Sequence, residues 1–425
     1  MSLDSTNTRG AAFNSNVVVM KFGGTSVGSV ERIQNVAKRV AKHVKTTGQK
    51  VVVVVSAMSG ETDRLIDLGK KIGLSNPVFR EQDQLIASGE QVTSALTAMA
   101  LNKEGVKSLS LLAPQIPIKT KNYYGQNIIK DINADKLWSL LNDNYVPVVA
   151  GFQGIDDTGS YTTLGRGGSD NTAVALAAAL NSCPCYIFTD IDGVYSALPS
   201  ICKKAVKKSK LSYEEMLELA SGGAKVLQAR SVNLAYKHKV PLFVASSFAE
   251  IEGTEIVEEY EGMEDSVVSG ITCRTDESKV TLRNIPDQPG IAAKIFKVLG
   301  DSGIVVDMIV QSQGAGNTTN ISLTVPSESI NLAFDKLSAL IKSDMKDATI
   351  DIDKDIAKLS VVGEGMRNHA GVAYKIFEVL GKENINIEMI TTSEIKVSLA
   401  IKQKYAELAV RSLHEYFIEN QGLEK

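Results

Sequence analysis

Residues 17–28 read V-V-V-M-K-F-G-G-T-S-V-G: apolar residues of strand type, a lysine, paired glycines and two hydroxyls, all ahead of a helical pattern. A strand that must turn sharply into a helix makes a corner suited to phosphate. Gly23 and Gly24 let the backbone come close to a ligand and turn N–H groups toward it, and a helix starting near Val27 would aim its positive end at the same point. Lys21 adds a point charge. The same residues would also serve as an ordinary strand-to-helix turn with a surface lysine, so the corner alone leaves both readings open. A Walker P-loop is excluded, because Ser29 and Val30 stand where that motif needs lysine and a hydroxyl residue.

Outward from this corner, as far as about Phe248, short β-branched runs alternate with amphipathic stretches. Runs at 51–55, 146–150, 185–190 and 242–245 have the continuous apolar character of strands buried on both faces, with helices expected at 30–46 and 172–181. The pattern predicts a layered α/β domain whose ligands sit at the carboxyl ends of the strands. Three loops stand out there. S-A-M-S-G-E-T-D (56–63) follows the second run and is also a plain helix cap. G-R-G-G-S-D-N-T-A (165–173) sets Arg166 among glycines, where its fork can grip a carboxylate bidentately, and Ser169 and Asp170 open a helix at the same place. T-D-I-D-G-V-Y (189–195) ends the strand at 185 and would serve equally as an acidic turn. Glu90, after the small residues Ala87, Ser88 and Gly89, reads from the residues alone as an acid favouring a helix N-terminus.

At 425 residues, a length of about 150 per domain implies two to four domains. With 46 basic and 49 acidic residues the net charge is −3, which gives no electrostatic case for a nucleic-acid or anionic-membrane partner. The lysines at 203, 204, 207, 208 and 210 read as a solvated face. No apolar run is long enough to span a membrane and the first sixteen residues lack a signal-peptide core, so a cytoplasmic location is expected. The cysteines at 183, 185, 202 and 273 and the four scattered histidines match no metal-binding spacing, and reduced, inert thiols are expected.

After Gly253 the texture becomes Glu-rich, as in a linker, and the chain then repeats itself. G-I-A-A-K-I-F-K-V-L-G from Gly290 returns as G-V-A-Y-K-I-F-E-V-L-G from Gly371, and Asp307-Met308-Ile309 returns as Glu388-Met389-Ile390. Each copy fits a small βαββαβ module. Pairing its open edge with another copy would satisfy backbone groups, so a homo-oligomer is expected.

K-F-G-G-T-S-V resembles the aspartokinases of the amino-acid kinase superfamily, and I-P-D-Q-P-G (285–290) resembles the ligand loop of ACT domains. The resemblance covers nearly the whole chain from Val17. It implies an αβα sandwich with a mostly parallel central sheet, over 17–250, preceded by a tail at 1–16. A linker and shared strand at 251–278 would then lead to two ferredoxin-like ACT modules at 279–350 and 351–425. It implies a kinase that uses MgATP to convert L-aspartate to 4-phospho-L-aspartate, the first step toward lysine, threonine and methionine. Lys21 and Asp170 would be catalytic, the aspartate holding the lysine. Lys21, Gly23, Gly24, Thr189, Asp190, Tyr195, Lys225 and Val226 would meet ATP. Thr25, Ser26, Thr62, Glu90, Arg166, Gly167 and Ser169 would meet aspartate, Glu90 taking its ammonium. Magnesium would arrive on the ATP phosphates, and no firm protein ligand for it is named. Lysine and/or threonine would act as effectors at Asp287, Gln288, Pro289, Gly290, Ile291, Ala292, Val306, Asp307 and Gln311 of the first module with Val372, Asn386, Ile387, Ser393 and Glu394 of the second. Met263 matches where some relatives start a separate regulatory subunit. The chain departs from the family at 196–200, where S-A-L-P-S replaces T-A-D-P-R and removes an aspartate and a nucleotide-contacting arginine. Val305 and Ala370 depart likewise in the modules. Two other readings therefore stay open: a catalytically weakened amino-acid sensor of the same fold, and another amino-acid kinase.

Overall fold

The computed structural model describes residues 16–73, 78–121, 124–224, 226–263, 266–345, 347–369 and 371–420. It divides into two units, one of Met1–Val194, Lys208–Leu217 and Lys225–Tyr260, the other of Tyr195–Lys207, Glu218–Ala224 and Glu261–Lys425.

The first unit is built on strands β1 (Val17–Phe22), β2 (Lys50–Val55), β3 (Ser108–Leu111), β4 (Ile118–Thr120), β5 (Ile129–Ile132), β6 (Val146–Ala150), β7 (Gln153–Ile155), β8 (Tyr161–Thr163), β9 (Cys185–Thr189), β10 (Lys210–Ser212), β11 (Leu242–Ser246) and β12 (Thr254–Val257). Eight of them form one sheet, in the order β10-β12-β11-β9-β1-β2-β6-β3, parallel except where β12 runs against β11. Strand β12 lies beyond residue 250, so this sheet reaches into the stretch expected to be linker. The four short strands β4, β5, β7 and β8 make a separate sheet.

Side-chain alternation along β1 decides where the chemistry goes. Val18, Met20 and Phe22 pack with Ile33, Val36, Ala37 and Val40 of helix α1 (Val30–Thr47). Val17, Val19 and Lys21 therefore point to the other face, because successive residues of a strand alternate. Helix α1 begins at Val30 behind a Ser29 cap, where the 30–46 pattern put it; residues 24–27 form turns, so the helix does not start at Val27. Its C-terminus is closed by Gly48 in the left-handed conformation. Three helices follow, α2 (Glu61–Lys71), α3 (Phe79–Lys103) and α4 (Asp135–Asn142), and then α5 (Gly168–Ala179), α6 (Tyr213–Ser221) and α7 (Ala229–His238). Helix α5 is buried along almost all its length, so small residues, Ala173, Ala175 and Ala177 among them, fill it.

In the second unit, β13 (Gly270–Arg274) precedes β14 (Glu277–Pro286), α8 (Ile291–Asp301), β15 (Ile309–Gln313), β16 (Thr318–Pro326), α9 (Ile330–Asp344) and β17 (Thr349–Asp353). The repeat then supplies β18 (Ile356–Val362), α10 (Val372–Lys382), β19 (Ile387–Thr392), β20 (Lys396–Lys402) and α11 (Ala406–His414). The sheets have the orders β15-β16-β14-β17 and β13-β18-β20-β19. Each module is thus a four-stranded sheet under two helices, but the second borrows its outer strand from upstream of the first. Strand β17 runs to Asp353 and pairs with β14, three residues past the expected module boundary.

Candidate active site

The odd face of β1 meets the start of α5. Lys21 Nζ lies 2.5 Å from Asp170 Oδ1, with each side chain only 10% exposed. A pair so sheltered holds its geometry more firmly than a solvated one, since neither group is free to find water. Asp170 is placed by a loop that only glycine permits: Gly165 and Gly167 have φ of 72° and 71°, and a Cβ on Gly168 would stand 2.8 Å from the Phe152 ring.

Around this pair opens a cleft of about 330 Å³ lined by Lys21, Gly24, Thr62, Glu90, Arg166, Gly167, Ser169 and Asp170, together with Ser56–Gly60 and Phe152. Gly24 packs against the loop after β2, where an added Cβ would come within 2.9 Å of the Ala57 carbonyl. Arg166, also in the lining, is exposed. Glu90 lies in the middle of the 25-residue helix α3, not at a turn or a helix start as its sequence suggested. Gly89 lets α3 come so near that a Cβ there would be 2.8 Å from Ala57 Cβ. The Ala57 N–H then donates to Glu90 Oε1 at 2.9 Å, while Oε2 is buried with no hydrogen-bond partner among the described residues. Burial pushes the Glu90 carboxyl up to about 7, against the pull of the Ala57 N–H.

The other expected residues lie as follows. The Gly23 N–H donates to Phe188 O at 3.2 Å, continuing the β1–β9 ladder, so it is not a phosphate donor. Ser26 is buried, its hydroxyl lies 2.5 Å from that of Ser247, tying the corner to the end of β11, and it is not among the residues lining the cleft. Thr25 is half-buried and its carbonyl accepts from the Arg32 guanidinium. Thr189 and Asp190 stand at the end of β9, outside the cleft lining, with the Thr189 hydroxyl donating to Asp190 at 3.0 Å. Val226 is half-buried in the turn before α7. Tyr195 falls in the second unit, bridged to Lys207. Lys225 and Ala370 lie outside the described residues.

The fold adds residues that the sequence did not mark. Gly151 admits Ser169, whose Cβ and Oγ would both be 2.8 Å from an added Cβ. Phe152 holds a φ of 67°, a costly conformation for a non-glycine residue, and lines the cleft. Their only signal was the G-F pair just past a buried run.

In the second unit, Asp287, Gln288, Pro289 and Gly290 form an exposed loop leading to half-buried Ile291 and Ala292 at the start of α8. Gln311, Asn386, Ser393 and Glu394 are exposed, and Val306 and Ile387 half-buried. Two expectations need correcting. Val372 belongs to the core of the second module, and Asp307 is bound to Lys358 of β18, so its carboxylate is already engaged.

The described residues contain no helix long and apolar enough to cross a membrane. The model for the amino acid kinase family matches residues 16–246, and that for the ACT domain matches 283–340 and 359–417. An aspartate kinase of Stutzerimonas stutzeri (strain A1501) is 51% identical over 402 residues, 94% of this chain and 97% of that protein. An aspartokinase of Helicobacter pylori (strain J99) is 48% identical over 405 residues, 94% of this chain and 99% of that one. Among solved structures, E. coli aspartokinase III with aspartate and ADP shares the fold at a TM-score of 0.79 and 24% identity, covering 94% of this chain and 99% of its own.

Proposed function

The chain belongs to the amino acid kinase family and, within it, to the aspartate kinases, and from that premise we propose how its residues divide the work. The reaction moves the γ-phosphoryl group of ATP to the side-chain carboxylate of L-aspartate, giving ADP and 4-phospho-L-aspartate. The observation that carries the assignment is the Lys21–Asp170 pair and Arg166 lining one cleft.

The fork of Arg166 takes the α-carboxylate of aspartate, and Glu90, with its idle oxygen, takes the ammonium. These two contacts leave the side-chain carboxylate as the free end, directed toward Lys21. It needs no general base, because it is ionised at neutral pH. Lys21 neutralises charge on the transferring group, held in place by Asp170, and the Gly24 N–H assists. Arrival of the ammonium gives the Glu90 carboxylate a counter-charge and favours its ionised form. In this reading ATP lies toward the ends of β9 and β11, near Thr189, Asp190 and Val226. Of the cleft carboxylates, Asp170 is engaged by Lys21 and Glu90 by the Ala57 N–H. With only Asp63 besides these, and it exposed, the lining fits a Mg²⁺ that would be carried in on ATP phosphates better than a protein-built cage. The ion, bound with ATP, would supply neutralisation of phosphate charge.

The ACT modules support feedback control, with lysine, threonine or both held by the loop at Asp287–Ala292 and by Ser393 and Glu394. E. coli aspartokinase III is known with lysine and aspartate bound, which makes lysine the first effector to test. A cytoplasmic homo-oligomer joined through the modules is part of the same reading, with Met263, in a turn after β12, as a candidate start of a separate subunit. A hydroxylamine trap for acyl phosphate, run with aspartate, glutamate and N-acetylglutamate, tests the substrate. Signal with aspartate alone is expected, and turnover on glutamate alone overturns the assignment. Aspartate-dependent ADP release separates a kinase from a sensor, which would bind without turning over. Absence of any effect of lysine and threonine on rate or melting temperature would end the regulatory reading.

A further inference from the structure

The second unit contains a side-chain cluster that the phosphoryl-transfer reading leaves unused. Cys202, His414 and Glu419 each present one donor atom, and the three atoms lie within 4.8 Å of one another. No sequence spacing announces the group, since two hundred residues separate the thiol from the imidazole; only the fold joins them. We propose that these residues form a binding site for a borderline-soft divalent cation, zinc foremost.

Four features support it. The donor set, one thiolate, one imidazole and one carboxylate, is of the kind zinc takes, and with Zn²⁺ it sums to zero charge, which suits a site where Cys202 and His414 are buried. His414 is oriented from behind: its Nε2 lies 2.8 Å from Ser196 Oγ, which in turn accepts from the Val206 N–H at 2.8 Å. Donation from Nε2–H to Ser196 leaves the Nδ1 lone pair facing the other two ligands, the arrangement in which a second partner fixes the tautomer of a metal-bound histidine. His414 Nδ1 and Glu419 Oε1 stand 3.0 Å apart, close to the roughly 3.3 Å that two ligands at tetrahedral zinc bond lengths would span. The backbone is built for that pairing. In an α-helix residues five apart lie about 140° apart around the axis, but Glu415–Glu419 is a π turn closed by Asn420 N–H to Glu415 O at 3.1 Å, which brings Glu419 back over His414.

Without metal, the outer oxygen of Glu419 is held by Lys204 at 2.6 Å. On binding, the Cys202 thiol loses its proton to solvent as the metal–sulfur bond forms, the Lys204 ammonium swings away, and nothing changes oxidation state. Lys204 is 76% exposed and marks the entry path. The ion would fasten the segment Tyr195–Lys207, which carries Tyr195 and the family departures Leu198 and Ser200, to the end of α11.

The full-length chain, stripped with a chelator and dialysed, is titrated with Co²⁺ and then Zn²⁺. A thiolate-to-cobalt charge-transfer band is expected, saturating at one ion per chain and displaced by zinc. Cys202→Ser should abolish the band, and Glu419→Gln should weaken binding at least about 10-fold. Lys204→Ala, at an exposed position that does not endanger folding, should tighten binding about 2- to 5-fold by freeing Glu419. Absence of the band, a band that survives Cys202→Ser, or an affinity unmoved by Lys204→Ala overturns the proposal.

Discussion

Glu90 is a carboxylate whose burial works against its charge, and the consequences can be measured in both stability and binding. Its carboxyl, pushed up to about 7, stays largely protonated in the folded chain where the unfolded chain has already ionised. For an acid with a raised folded value, the stabilisation is complete below the unfolded value near 4.5 and is lost as pH rises through about 7; the full loss is about 3 kcal/mol. Glu90→Gln keeps an acceptor for the Ala57 N–H and cannot ionise. It should match the parent in melting temperature at pH 4 and exceed it at pH 8; a difference independent of pH would refute the argument. The same variant lacks the charge that meets the ammonium, so its KM for aspartate should rise by about 10- to 100-fold at pH 8, from a charge-assisted bond of about 1.5–3 kcal/mol. Arg166 is tested by Arg166→Lys, which keeps the charge and removes the fork. Aspartate KM should rise about 10-fold or more with kcat little changed, in steady-state assays at saturating ATP. A fall in kcat at constant KM would move Arg166 to the phosphoryl side of the reaction.

At the scale of elements, the active-site end of α5 depends on residues that lack a Cβ. Gly167 combines a φ of 71° with a neighbour, Gln228, whose Cγ would lie 2.0 Å from an added Cβ. Gly167→Ala should cost about 1–3 kcal/mol in denaturant melts and lower turnover, because relief of the clash shifts the loop that carries Arg166. Wild-type stability in that variant would mean that the loop is looser than its geometry implies. The elements most legible in the sequence were those with a local cause. The valine runs of β1 and β2 and the apolar run of β6 are buried on both faces and read as such, and α1 has the apolar stripe of a helix packed on one side. Glu90 was misplaced because α3 is buried on several sides: Ala87, Gly89, Thr93, Ser94, Thr97 and Leu101 cover too much of its circumference to leave a one-sided period. The strands β4, β7 and β8 are three residues long, too short for alternation to register. The roles of Gly23 and Ser26 were hidden for another reason, since their partners, Phe188 and Ser247, are far away in the chain.

For the whole molecule, the repeat was legible as sequence, whereas the exchange of β13 into the second sheet was not, because strand pairing at that distance leaves no local pattern. What joins the two modules follows from the repeat itself. Lys279 of β14 bonds Glu388 at the start of β19, and Lys358 of β18 bonds Asp307 just before β15, the same contact made twice with the copies exchanged. Beside them, among the described residues, Met308, Met389, Ala400 and half-buried Val310 form a small apolar cluster, while each module keeps its own large core. Charge is therefore a large part of this joint. Lys358 is 4% exposed and also faces Glu277, whose carboxyl is raised by burial and then by the Asp307 charge. Asp307 is held below the usual carboxylate range by its bond to Lys358, despite the opposing effect of burial. A depressed acid stabilises above its unfolded value and loses that contribution as pH falls below about 4. Lys358→Met keeps the length of the side chain and removes the cation from two carboxylates. The loss should be about 2 kcal/mol at pH 7, less than for a fully buried pair because Asp307 is 39% exposed, and should shrink toward pH 3.5 as Glu277 takes up a proton and Asp307, freed of Lys358 in the variant, does so too. Urea midpoints of parent and variant at the two pH values measure it. An equal loss at both would show that Lys358 acts through the packing of its methylenes, and the joint would then have to be explained by shape, not by charge.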